Sequence, residues 1–207
     1  MNPFQTLNRG LLIACLGISL AAFGGEQAAE ASLRNRVRGT VSVMGKPVAG
    51  ASVTLWTTRG GQTPEQVKAV RSKKDGSFAL SVKPKNGTVH YLIASGGTVN
   101  NSNVDRLTML TVLDGTERGT AVINERTTVG SVWPNAQQLE GDQLIGSTNA
   151  LAIGSGHVKH LVDERTGQVG DTVLNGCNFL RSESAARINV VSGLLALCGD
   201  PTKERGC

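Results

Sequence analysis

Between residues 38 and 97, small and β-branched residues alternate with polar ones in short runs, each cut by a turn. That is the period of strands with one buried face. Val37, Gly39, Val41 and Val43 form the first run. Met44-Gly45-Lys46-Pro47 ends it, because Gly45 accepts a positive φ and Pro47 has no N–H to give to a ladder. Past a corner at Gly50, Ala51, Val53 and Leu55 alternate with Ser52, Thr54 and Trp56. Residues 59–74 are polar, with Val67, Ala69 and Arg71 spaced as a short edge strand. Asp75-Gly76 turns the chain into Phe78, Leu80 and Val82. After Lys85-Asn86-Gly87, residues 89–94 are almost wholly apolar and read as a strand covered on both faces. Strands this short and this regularly spaced predict a β-sandwich.

The residues before this stretch read as an export signal. Asn8-Arg9 supplies a basic start, and the apolar run from Leu11 to Phe23 suits a signal core but is short for a membrane span. Ala29-Glu30-Ala31 before Ser32 has the small-x-small pattern of a cleavage site. An uncleaved anchor is the alternative. Leu12-Ile13-Ala14-Cys15 also resembles a lipobox, although the apolar run continues past Cys15. Cys15 then reads better as a small hydrophobe within that run.

The full chain has 207 residues and a formal charge of +5. Removing residues 1–31 takes away Arg9, Glu26 and Glu30 and leaves it one unit more basic. Its cations are scattered, many in the insert and turns of the sandwich, among them Arg38, Lys68, Arg71, Lys73 and Lys74, and read as solubilising charge, with a patch facing anionic lipid or polysaccharide as the alternative. Export and a scarcity of aromatics exclude nucleic acid as a partner. Of the remaining cysteines, Cys198 and Cys207 flank a turn-rich loop and are expected to pair, while Cys177 is left buried or free for an intermolecular bond.

Beyond residue 98 the pattern changes. Thr98 to Val104, with three asparagines, reads as a linker, and Leu107 to Leu113 as a last strand. Asn124 suits a helix N-cap, followed by Val129, Val132 and Trp133 on one face and a stop at Pro134. A second helix spans about 149–163, stopped by Arg165-Thr166-Gly167, with Gly154 and Gly156 allowing close packing. A third begins at Ser184 and carries Ala185, Ile188, Val191, Leu194, Leu195 and Cys198 at helical steps.

The order G-x-V, G-x-P-V-A-G-A-x-V-x-L, D-G-S-F-x-L and Y-L-I-A-S-G, found here between Gly39 and Gly96, resembles carboxypeptidase regulatory-like domains. The resemblance implies a transthyretin-like Greek-key β-sandwich in a secreted setting. It implies no peptidase activity, since that module is an accessory. The later part resembles a segment of bacterial exported proteins of unassigned function, through residues 123–129, Leu161-Val162-Asp163 with Thr166-Gly167, and residues 186–198 with Cys207. In such proteins the chain continues past the second cysteine, so this one is expected to be a shorter version.

The expected architecture is therefore α+β. Residues 1–31 are a signal peptide, 32–115 a Greek-key sandwich and 116–207 a helical annex. Chemistry is sparse in the letters. His157 and His160, with Asp163 or Glu164 one turn on, are the one candidate metal face, but the spacing lacks an HExxH or a fourth ligand. Ser155 between two glycines, near His157, misses the spacing of a nucleophile elbow. Neither a catalytic set nor a cofactor motif is read. Trp56 is the candidate ligand contact. The expected function is a non-catalytic exported module of the cell envelope, for adhesion, scaffolding or contact with polysaccharide or protein. The alternative is a periplasmic metal-dependent enzyme or enzyme accessory using the His157/His160 face.

Overall fold

The structure is a computed structural model that describes residues 36–82, 87–113, 119–174 and 181–198. The residues read as a signal, with Cys15, the expected turn residues Lys85-Asn86 and Asp114-Gly115, Cys177 and Cys207 lie outside the described residues.

The chain is mixed α+β. Its first sheet is built on β1 (Arg36–Val43). The alternation read from the sequence is realised there: Val37, Val41 and Val43 are buried and Arg36, Arg38 and Thr40 exposed. Met44 and Gly45, both at positive φ, turn β1 into β2 (Lys46–Pro47). That is the mirror-image turn whose twist matches two strands. The second sheet has the order β4-β3-β6-β9, all antiparallel, from β3 (Ser52–Thr58), β4 (Glu65–Arg71), β6 (Val89–Ser95) and β9 (Thr108–Leu113). β4 is the expected edge strand, with Val67, Lys68 and Arg71 exposed. β6 lies inside the sheet, which is why Tyr91, Leu92, Ile93 and Ala94 are all buried.

β5 (Ser77–Ser81) returns to the first sheet and pairs antiparallel with β1. The run Ala121-Val122-Ile123 belongs to a further strand, β10 (Gly119–Ile123), which pairs parallel with β1. The expected boundary at 115/116 thus falls between two strands of different sheets. The supposed linker at Thr98 is a tight hairpin of β7 (Thr98–Val99) and β8 (Ser102–Asn103). Asn100 and Asn101 make its turn at positive φ, which asparagine tolerates better than most side chains do.

Both sheets contribute to one apolar cluster. Val41, Phe78, Leu80 and Ile123 come from the first; Leu55, Leu92 and Met109 come from the second. Each such side chain contributes about 1.5–3 kcal/mol by leaving water. The opposite face of the second sheet carries Tyr91, Ile93, Leu110 and Val112, and packs on the helical part through Leu144, Leu151, Val158 and Val162.

The helical part starts with α1 (Glu125–Val132). Asn124 caps it as expected. Its side chain accepts the Thr127 N–H at 2.9 Å, and Thr127 Oγ1 accepts the Asn124 N–H at 3.0 Å. α1 buries mainly hydroxyls because it lies along β9, the free edge of the second sheet. Ser131 Oγ accepts the Val112 N–H at 3.0 Å, and Thr111 and Thr127 join hydroxyl to hydroxyl at 2.9 Å. A strand edge that would otherwise seek another chain is thereby covered. Past Val132 the chain tightens into a 3₁₀ turn from Trp133 to Gln138, which leaves Trp133 exposed rather than on a shared face with Val129.

A small hairpin, β11 (Leu139–Glu140) with β12 (Gln143–Leu144), leads to α2 (Thr148–Leu161), capped by Ser147. The expected stop at Gly167 is corrected. α2 ends at Leu161, and Gly167 closes the turn between β13 (Val162–Asp163) and β14 (Gln168–Val169), at φ +70°. A Cβ there would run into Asn124 Nδ2, which donates to the Gly167 carbonyl at 3.0 Å. After α3 (Asp171–Leu174) comes α4 (Arg181–Cys198), which starts earlier than Ser184. Ile188 is buried and Leu195 packs inward, whereas Val191 and Leu194 are exposed, so the expected apolar face is only half used.

Candidate functional site

A crevice of about 240 Å³ opens where the end of the second sheet meets α2. β3 brings Thr58, β6 brings Val89 and His90, and β9 brings Leu113. From the other side α2 presents Thr148, Leu151, Ala152, Ser155 and Gly156. The helix lies close because Gly154, on its inner side, meets Asn135 and the Pro134 carbonyl where any Cβ would collide. Gly156 is different. It lines the crevice, and a Cβ added there would meet nothing.

The walls are apolar at Leu151, Val89 and Leu113, and polar at Thr58, Thr148 and Ser155. Thr58 is only 2 % exposed, and neither its hydroxyl nor that of Ser155 has a hydrogen-bond partner among the described residues. The neighbouring Thr57 hydroxyl is also buried and unpartnered. A buried hydroxyl without a partner costs roughly 1–3 kcal/mol. Among the described residues, His90 is the one titratable side chain in the lining. At the rim, the Arg59 guanidinium comes to 4.0 Å from the position a Gly87 Cβ would take.

The sequence-predicted residues are distributed as follows. Trp56 is half-buried and packs on the second cluster. Its ring stacks on Tyr91 with centroids 6.4 Å apart and planes 13° apart, and its Nε1–H donates to Thr54 Oγ1 at 2.9 Å. It is not among the crevice residues. His157 and His160 are exposed on α2 with ring centroids 6.1 Å apart. His160 Nδ1 is 3.3 Å from Thr172 Oγ1. Asp163 lies past the helix end, where its carboxylate accepts the Arg165 N–H at 2.9 Å. Burial is the largest single influence on this carboxyl and pushes it up, but hydrogen bonds from Arg165 and Thr166 and the Arg165 charge together outweigh it and hold the carboxyl below the usual range. No three His, Cys, Asp or Glu residues converge as metal ligands among the described residues. Ser155 is among the crevice residues, while His157, two positions on, is exposed. Cys198 ends α4, its Sγ 3.5 Å from the Leu194 carbonyl, and Cys177 and Cys207 lie outside the described residues.

Thr58 and His90 carried no signal in the sequence. Each looked like one more strand residue, and only the packing of α2 across the strand ends gives them a shared surface.

No family model matches the chain, and no curated protein matches it. Among solved structures it is similar to a 9R-lipoxygenase from Cyanothece PCC8801, at 15% identity and a TM-score of 0.30. The likeness covers 47% of this chain, which spans 19% of the length of the lipoxygenase chain. A similarity of that size transfers neither fold nor activity.

Proposed function

We propose that this protein is an exported, non-catalytic module of the cell envelope that holds polysaccharide or protein through the crevice between its second sheet and α2. The observation that carries this reading is the crevice itself, with apolar walls at Val89, Leu113 and Leu151 and polar groups at His90 and Thr148. In this reading the two sheets form a transthyretin-like Greek-key sandwich of the carboxypeptidase regulatory-like kind. The single cluster shared by both sheets supports that. Export is read from residues 1–31, and recovery of the protein outside the cytoplasm with Ser32 at its N-terminus is the expected outcome of fractionation and N-terminal sequencing. No helix among the described residues is long and apolar enough to cross a membrane.

The test of binding is co-sedimentation of the protein with insoluble bacterial envelope polysaccharide, alongside capture of solubilised envelope proteins. Saturable retention by one of the two is expected. Retention by neither overturns the reading.

A further inference from the structure

We propose that the outer face of the first sheet docks on an anionic phospholipid membrane, with Arg36 and Arg38 as its contact points. This goes beyond the crevice and uses a different face of the molecule. It rests on charge, on the relief of that face and on its place in the chain.

Arg36 and Arg38 stand two residues apart on β1 and so share a face. Both are exposed, while Val37 between them is buried in the cluster that joins the two sheets. Neither guanidinium makes an ion pair or a hydrogen bond among the described residues. Arg71, Arg126 and Arg187, by contrast, are each held by a partner in the fold. Two like charges about 7 Å apart on one strand repel, and a counter-charge arriving from outside relieves that. Asp75, in the turn before β5 at the other end of this sheet, turns its carboxylate to the Ser77 N–H at 3.0 Å.

The cross-strand neighbours of the two arginines are small. Ser81 stands opposite Arg36 and Ala79 opposite Arg38 on β5, and Thr120 lies beside Arg38 on β10. None of the three reaches as far as a guanidinium, so the two cations are high points of a broad surface. Both can meet a plane of phosphates at once, each in the paired geometry that a guanidinium offers to phosphate. α2 is no obstacle, since it packs on the far side of the second sheet with both sheets between it and this face.

Place in the chain selects lipid over other polyanions. If the apolar run from Leu11 to Phe23 enters a membrane during export, residues 24–35 tether Arg36 within roughly 40 Å of it even at full extension. β1 is then the first strand to emerge beside the lipid, and the tether raises the concentration of headgroups around it. Arg34 keeps the same alternate spacing in the sequence. Free polysaccharide has no such link to the start of the chain.

The test is co-sedimentation with vesicles of phosphatidylcholine alone and of phosphatidylcholine with an equal part of phosphatidylglycerol. Wild type is expected to favour the anionic vesicles and to lose that preference as salt rises. Each cation at such a surface changes partition about fivefold, so Arg36→Gln with Arg38→Gln is expected to weaken it about thirtyfold. Both side chains are exposed and unpartnered, so the melting temperature of that variant should not move. Arg36→Lys with Arg38→Lys keeps the charge and should bind much as wild type does. Lys68→Gln with Lys159→Gln removes the same charge from β4 and α2, and should also bind as wild type does. All variants keep residues 11–23, so any contribution of the apolar run is common to them. Equal retention by the two kinds of vesicle, or an equal loss in the two glutamine variants, overturns the inference. Retention on immobilised polygalacturonate without a preference for anionic vesicles overturns it too, and gives the face to an acidic polysaccharide.

Discussion

Tyr91 reports on the seam between the second sheet and the helices. It is the sole tyrosine of the chain, fully buried, with its ring on Trp56 and its hydroxyl oxygen accepting the Leu144 N–H at 3.4 Å. Burial pushes its phenol up to about 12, with a smaller push from the Asp142 carboxylate, and the Leu144 N–H acts the other way. In the unfolded chain the same phenol titrates near ~10. Below that pH both states hold the proton, and whatever Tyr91 contributes to stability is fully present. Between ~10 and ~12 the unfolded state releases its proton and the folded state keeps it, so stability falls as pH rises, by roughly 1.4 kcal/mol per unit. The loss over the window is on the order of 2–3 kcal/mol, a sizeable part of the 5–15 kcal/mol that holds an average domain together.

Lysines also titrate there, so Tyr91→Phe is the comparator. At neutral pH that variant is expected to be about 1 kcal/mol less stable, because the Leu144 N–H loses its acceptor. Urea unfolding of both proteins at several pH values should show this gap closing and then reversing above pH ~10. Near-ultraviolet tyrosinate absorbance of the folded wild type should rise with a midpoint near 12. A folded-state midpoint near the ordinary value, or a gap between the two proteins that stays constant with pH, would refute the burial argument.

Gly154→Ala should lower the denaturation midpoint by the equivalent of about 1–3 kcal/mol, since its Cβ runs into Asn135, whereas Gly156→Ala in the same helix should raise it by up to about 1 kcal/mol. Shifts of equal sign would contradict the packing of α2. Asn124→Ala loses the cap of α1 and the bond to the Gly167 carbonyl, at an expected cost of about 1–2 kcal/mol in thermal unfolding, with Asn124→Ser recovering part of it. Peptide mapping of the protein isolated without reductant should join Cys198 to Cys207, a closure worth roughly 2–3 kcal/mol; a Cys177–Cys198 peptide would show the pairing was misread.

The strands were legible wherever burial is one-sided. β1, β3 and β5 each alternate visibly because one face meets the core, and β6 is continuously apolar because it is covered twice. The N-cap at Asn124 was legible because capping is a local hydrogen-bond problem. β10 was not, since five residues of a parallel strand carry no period and its partner is far off in the chain. Gly167 shows the same limit. Its positive φ suits a helix end and a hairpin turn equally, and only the pairing of Val162 with Val169 decides between them. The exposed side of α4 was misjudged because helical spacing records which residues share a face, not whether a neighbour arrives to cover it. The crevice depends on three strand ends and a helix that meet only in the fold, so no window of sequence contains it.

The return of β10 to β1 bears on the order in which the molecule can become itself. Met44 and Glu125, 81 positions apart, are joined by a 2.6 Å hydrogen bond just beyond that pairing. A chain delivered N-terminus first must wait for most of its length to arrive before its opening strand finds its last neighbour. Until then one side of β1 stays unpaired and open to other chains. Assistance during delivery, from a chaperone or from slow release, would act most usefully on that interval.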